Sequence, residues 1–127
     1  MPTYTILVVD DVQTDRELIG MVVSRAGHRV AYAADGNEAL TKARELQPSL
    51  IFLDVVMPVQ DGYKTCRLLK KDPETASIPV VMVTSKTADS DRFWSQKQGA
   101  TEHIGKPFTP DILLDCIRMY ARGSRDW

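Results

Sequence analysis

Apolar residues arrive along this chain in short unbroken runs separated by amphipathic stretches, and the alternation repeats five times. Ile6-Leu7-Val8-Val9, Leu50-Ile51-Phe52-Leu53 and Val80-Val81-Met82-Val83 contain no polar residue. Each therefore predicts a strand covered on both faces rather than one that alternates core and solvent. The predicted strands are Thr5 to Val9, His28 to Ala33, Leu50 to Leu53, Val80 to Val83 and a brief Glu102 to Ile104. Between them the spacing changes to that of helices. Leu18, Ile19, Val22, Val23 and Ala26 form one apolar stripe, and Ala39, Leu40, Ala43 and Leu46 a second. Ile112, Leu113, Cys116, Ile117 and Tyr120 form a third on the last helix.

Punctuation between these stretches fits the same plan. Thr14-Asp15-Arg16-Glu17 has the form of a capping box, and Gly27 a C-terminal stop. Asp35-Gly36-Asn37-Glu38 opens the second helix and Pro48 ends it. A third helix runs from Asp61-Gly62 to about Lys71, where Asp72-Pro73-Glu74 breaks it. A polar helix from about Asp89 to Gln98 stops at Gly99. Thr109 caps the fifth, with Pro110 at a first-turn position where a missing N–H costs nothing, and Gly123 is expected to end it. Fully apolar strands alternating with helices imply parallel crossovers of one hand, so every strand C-terminus opens on the same edge. The expectation is a doubly wound α/β domain with a five-stranded parallel sheet and five helices. One domain is expected over residues 1–127, with a core of about 4–122, and no effector domain is expected.

Composition narrows the function. The apolar and charged fractions, 43% and 26%, are those of a globular domain, and the formal net charge is −1 with both signs mixed along the chain. A clustered basic face is absent, so nucleic-acid binding is not expected. The apolar runs are too short to span a bilayer and no signal peptide is evident, so a cytoplasmic protein is expected. Cys66 and Cys116 have neither CxxC nor Cys/His spacing, and His28 and His103 do not complete one. Reduced thiols in or near the core are expected rather than zinc.

The chemistry lies at the strand ends. Asp10 and Asp11 end the first apolar run, Asp54 the third and Thr84 the fourth, while Lys106 stands before Pro107 after the fifth. Ligands of open α/β sheets bind at that edge. Three carboxylates there repel one another unless a cation intervenes. An all-oxygen donor set favours a hard ion such as Mg²⁺. Aspartate is also a known covalent phosphoryl acceptor, so the constellation reads as a cation-assisted phosphoryl site. Lys106 would supply positive charge and Thr84 a hydroxyl.

These residues resemble the response-regulator receiver family over essentially the whole chain. The motifs are Val8-Val9-Asp10-Asp11, Leu53-Asp54-Val55-Val56-Met57-Pro58 with Gly62, Val83-Thr84-Ser85 and Lys106-Pro107-Phe108. The resemblance implies a flavodoxin-like sheet of order 2-1-3-4-5, and that Asp54 takes a phosphoryl group from a histidine kinase or phosphotransfer protein. It implies Mg²⁺ bound by Asp11, Asp54 and the Val56 main-chain carbonyl, with Asp10 acting through water, and a cis Lys106-Pro107 bond. Thr84 would move toward the phosphoryl group and couple it to the surface of the fourth helix, fifth strand and fifth helix, where a downstream protein would bind. Ser85 and Pro107 are expected to belong to the switch and interface region, together with His103 and Trp94.

One position departs from the family: His103 stands where a rotating Tyr or Phe is usual. It is expected to follow Thr84 inward and to signal weakly or with pH dependence. Val56 offers no polar group to orient a hydrolytic water, which predicts slow self-dephosphorylation. In the fourth helix Phe93 is expected to face the core, and Trp94 either packs or anchors a partner. Asp91-Arg92-Phe93-Trp94 with Gln98-Gly99-Ala100 is similar to receivers of type IV pilus, twitching or phototaxis pathways. Beyond catalysing its own phosphorylation and dephosphorylation, the chain is not expected to be an enzyme. The alternatives are a phosphate-independent interaction module, an aspartyl-phosphate phosphatase and, further off, a flavodoxin-type cofactor binder. The phosphatase places its acids as Asp-x-Asp after the first strand, unlike the adjacent Asp10-Asp11.

Overall fold

A computed structural model describes residues 3–57 and 60–121. Five strands, β1 (Thr5–Val9), β2 (Arg29–Ala33), β3 (Leu50–Leu53), β4 (Val80–Thr84) and β5 (Glu102–Gly105), alternate with five helices. These are α1 (Gln13–Arg25), α2 (Gly36–Leu46), α3 (Gly62–Lys71), α4 (Asp89–Lys97) and α5 (Pro110–Tyr120). All strand pairs are parallel and the order is β2-β1-β3-β4-β5, as expected.

The pleat divides the apolar runs between two layers. Leu7, Val9, Ile51, Leu53, Val80 and Met82 pack with Ala39 and Ala43 of α2 and Cys66 and Leu69 of α3. Ile6, Val8, Leu50, Phe52, Val81 and Val83 pack with Ile19 and Val23 of α1 and Leu113, Cys116 and Ile117 of α5. Both faces of the central strands are thus covered, which is why those runs tolerate no polar residue. Both cysteines are free and buried.

Several local expectations are corrected. Thr14 caps nothing: α1 begins at Gln13 with Val12 at the N-cap and no side-chain cap. Glu17 accepts from the Gln13 side chain at 2.7 Å instead of reaching back to the backbone. The physical reason is that the Arg16 N–H donates to the Val12 carbonyl, which places Thr14 inside the first turn, while Asp10 Oδ1 takes the Val12 N–H at 3.0 Å. The second strand begins at Arg29, because His28 Nδ1 accepts the Tyr4 N–H at 3.2 Å. Of the predicted stripes, Leu18, Ala26, Leu46 and Ile112 are exposed and only their neighbours are core. Asp35 caps α2 by accepting the Glu38 N–H, and the helix stops at Gln47 in a left-handed conformation before Pro48. Thr109 caps α5 as expected. The expected stop at Gly123 and the motif residue Pro58 lie outside the described residues.

Phe93 does not reach the core. It is 52% exposed, Trp94 is 53% exposed, and the two rings meet edge to face at 5.9 Å. Lys97 lies over the Phe93 ring. The residue α4 buries is Ser95, because the side chain facing it from β5 is the polar ring of His103.

Candidate functional site

The parallel topology delivers the residues singled out in the sequence to one edge. Asp10 follows β1, Asp54 follows β3, Thr84 ends β4, and Lys106 follows β5 across a cis bond to Pro107. Asp10, Asp54 and Thr84 are buried, while Asp11 and Ser85 are exposed.

Gly62 fixes how Asp54 is presented. Its N–H donates to the Val55 carbonyl at 2.8 Å, and a Cβ there would fall 2.0 Å from the Asp54 carbonyl oxygen. Only a residue without a side chain lets the start of α3 press against the backbone of the Asp54 loop. The Asp54 N–H donates to Val9 O, and Asp54 Oδ1 accepts the Val56 N–H at 3.2 Å. Val56 itself is half exposed and lines the mouth with an aliphatic side chain.

Lys106 is the electrostatic centre. Its Nζ donates to Asp10 Oδ2 at 2.8 Å, Asp15 Oδ2 at 2.9 Å and Asp54 Oδ2 at 3.4 Å. Burial alone would lower its pKa, but the Asp10 and Asp15 hydrogen bonds outweigh that and hold it above the ordinary lysine range. Burial pushes the Asp10 carboxyl above its ordinary value, with the Lys106 hydrogen bond opposing. Asp10 therefore bonds Lys106 and the loop backbone directly, in addition to any role through water. Arg16 Nη1 secures the same corner by donating to the Asp10 carbonyl at 2.8 Å.

The acids form a donor set suited to a divalent cation. Asp10, Asp11 and Asp54 each offer a carboxylate oxygen, and these lie within 4.8 Å of one another. Counting Asp15, four acids stand against the Lys106 ammonium and the Arg16 guanidinium, so the corner carries excess negative charge. Exposed Asp11 leaves that side open to water, which suits an ion that keeps part of its hydration shell.

A second set of contacts leads away from the acids. Thr84 Oγ1 accepts the Lys86 N–H at 3.3 Å, and the Lys86 carbonyl lies 2.7 Å from His103 Nε2. A carbonyl only accepts, so Nε2 carries the hydrogen, and in that tautomer Nδ1 accepts from the Ser95 hydroxyl at 2.7 Å. His103 is buried. It joins the loop after Thr84 to α4 by two hydrogen bonds where an aromatic ring would pack. Arg92 Nη1 adds a third tie by donating to the His103 carbonyl at 3.0 Å.

Two residues bonded into these contacts escaped the sequence reading. Asp15 has the look of an ordinary first-turn acid, and Ser95 that of a surface serine in a polar helix. For Ser95 a usable signal existed: a buried histidine in β5 needs a polar partner on the helix that covers it.

Comparison with known proteins agrees with this geometry. Residues 6–118 match the response regulator receiver domain, and the chain belongs to that family. It is 36% identical to protein PilH of Pseudomonas aeruginosa over 118 residues, covering 93% of this chain and 98% of that one. The structure is similar to that of the chemotaxis protein CheY4 of Vibrio cholerae, with a TM-score of 0.88, 31% identity, and 94% and 99% of the two chains covered. It is also similar to the receiver domain of a Pseudomonas aeruginosa sensor histidine kinase solved with magnesium in its active-site cleft. There the TM-score is 0.87 with 25% identity, covering 94% and 98% of the chains. The protein is thus a phosphoacceptor-type signalling domain of the two-component class, and among the described residues no helix is long and apolar enough to cross a membrane.

Proposed function

We propose that Asp54 is the phosphoacceptor of this receiver and that Lys106 and Thr84 serve the phosphoryl group. The observation that carries this reading is the ammonium of Lys106 set between Asp10 and Asp54, with Asp11 completing a three-acid cluster at the same strand ends. A carboxylate oxygen of Asp54 attacks phosphorus of a phosphohistidine on a histidine kinase or phosphotransfer protein. The O–P bond forms as the P–N bond breaks, and the electron pair stays on the departing imidazole, which takes its proton from solvent. Lys106 exchanges a carboxylate for a phosphoryl oxygen, and the Thr84 hydroxyl turns toward another. Mg²⁺ would be held by Asp11, Asp54 and the Val56 carbonyl, with Asp10 beside it, and would neutralise phosphoryl charge when bound.

Output then passes through protein contact on α4, β5 and α5. Half-exposed Trp94 supports that reading, since aromatic anchors dominate interfaces. The similarity to a chemotaxis protein and to PilH supports a cytoplasmic role in chemotaxis or type IV pilus signalling. No outside substrate is turned over in this scheme. Intact-mass measurement after incubation with acetyl phosphate and Mg²⁺ tests the assignment. The parent gains one phosphoryl group and Asp54→Asn gains none; an unmodified parent overturns it.

A further inference from the structure

Asp15 has no part in the scheme above, yet it is bound into the site. It lies in the first turn of α1 with its side chain 39% exposed, and its Oδ2 is 2.9 Å from Lys106 Nζ. A lysine ammonium has three N–H donors. Here three carboxylates take them, Asp10 at 2.8 Å, Asp15 at 2.9 Å and Asp54 at 3.4 Å. The longest contact is to the residue that would carry the phosphoryl group. We propose that Asp15 is a positioning residue that holds Lys106 at the rim of the site and competes with the phosphoryl group for it. The inference rests on the roles given to Asp54 and Lys106 above.

Asp10 cannot play this part alone. It belongs to the cluster that would face a cation, together with Asp11 and Asp54. Once those oxygens face a divalent ion, their pull on an ammonium weakens. Asp15 stands outside the cluster, so its hold on Lys106 survives metal loading. Engaging a phosphoryl oxygen then requires Lys106 to release Asp15. Because Asp15 is partly solvated, its pair with Lys106 is a bias and not a lock.

A plain charge effect makes a related prediction, since any acid near the site repels an incoming anion. The two accounts part at Lys106. Beryllofluoride with Mg²⁺, a phosphoryl mimic, is titrated calorimetrically into the parent, Asp15→Asn, Lys106→Met and the double variant. Asp15→Asn is expected to bind it about three-fold tighter, and the same substitution is expected to change nothing in the Lys106→Met background. Asp15→Glu, which restores the acid, is expected to return the parent affinity. In the Mg²⁺-loaded protein the Lys106 ε-methylene resonance is expected to move on Asp15→Asn. Equal affinities for parent and Asp15→Asn overturn the proposal, as does the same gain without Lys106. An unmoved Lys106 resonance overturns it whatever the affinities do. A parent that binds no beryllofluoride at all removes the Asp54 and Lys106 assignment, and this inference with it.

Discussion

Ser95 Oγ lies 2.7 Å from His103 Nδ1, and both side chains are buried. This pair replaces ring packing with a directional bond, so α4 is seated on β5 by a hydroxyl and an imidazole. Removing the hydroxyl leaves a buried ring nitrogen with no donor, a loss of about 1–3 kcal/mol. Ser95→Ala is therefore expected to lower the urea midpoint by a corresponding amount without changing the m-value. The double variant Ser95→Ala/His103→Phe, with no polar ring to satisfy on that side, is expected to recover part of the loss.

The same ring connects α4 to Thr84 through the Lys86 backbone, whose N–H and carbonyl bond Thr84 and His103 respectively. If Thr84 turns toward a phosphoryl oxygen, the Lys86 N–H loses its acceptor and the loop that His103 grips must shift. Trp94 is the residue before Ser95 and reports that shift. In a Trp127→Phe background, beryllofluoride with Mg²⁺ is expected to change Trp94 fluorescence. Thr84→Ala is expected to abolish the change while beryllofluoride still binds. A full fluorescence response in Thr84→Ala would place the coupling elsewhere.

The strand-end chemistry was legible because parallel topology converts sequence order into spatial convergence. Once the unbroken apolar runs of β1, β3 and β4 were read as parallel strands, with the brief β5 following the same crossover, Asp10, Asp54, Thr84 and Lys106 had to share an edge. What escaped depended on partners distant in sequence. Asp15 meets Lys106 across 91 positions, and nothing in its own turn announces that. Phe93 was misplaced because apolar periodicity assumes an apolar neighbour beneath the helix, whereas β5 offers His103. Thr14 failed as a cap because the helix already starts at Gln13, with the Arg16 N–H donating to the Val12 carbonyl, so Thr14 lies inside the first turn.

Asp10 illustrates the cost of keeping acids in this place. Burial holds its carboxyl above the ordinary 3.8 despite Lys106. A folded-state value above the unfolded one means that folding favours the protonated form. The stability linked to it is full below pH 3.8 and is lost as pH rises through the folded value. At neutral pH the charged group thus works against the metal-free fold. Asp10→Asn keeps an acceptor for the Val12 N–H, and Lys106 keeps Asp15 and Asp54. It is expected to stabilise the protein by about 1 kcal/mol in chelator. The advantage should narrow or reverse in Mg²⁺, which the parent binds better, and should shrink below about pH 4. Urea unfolding under the three conditions checks it.

Cys66 and Cys116 set the alkaline limit. Burial pushes each thiol from 9.0 up to about 11, and Cys66 also donates its S–H to the Gln98 carbonyl. The raised folded values favour the protonated thiols. Their contribution is complete below pH 9.0 and drains away as pH rises toward about 11, because the unfolded chain releases its protons first. For fully buried Cys66 this amounts to about 3 kcal/mol. Stability is expected to fall across that window, and Cys66→Ala should flatten the decline while costing stability at neutral pH through lost packing. At pH 8 native thiols should react with iodoacetamide about a hundred-fold more slowly than in the unfolded chain. Prompt alkylation of the folded protein would show that the two layers of the core open far more readily than their burial implies.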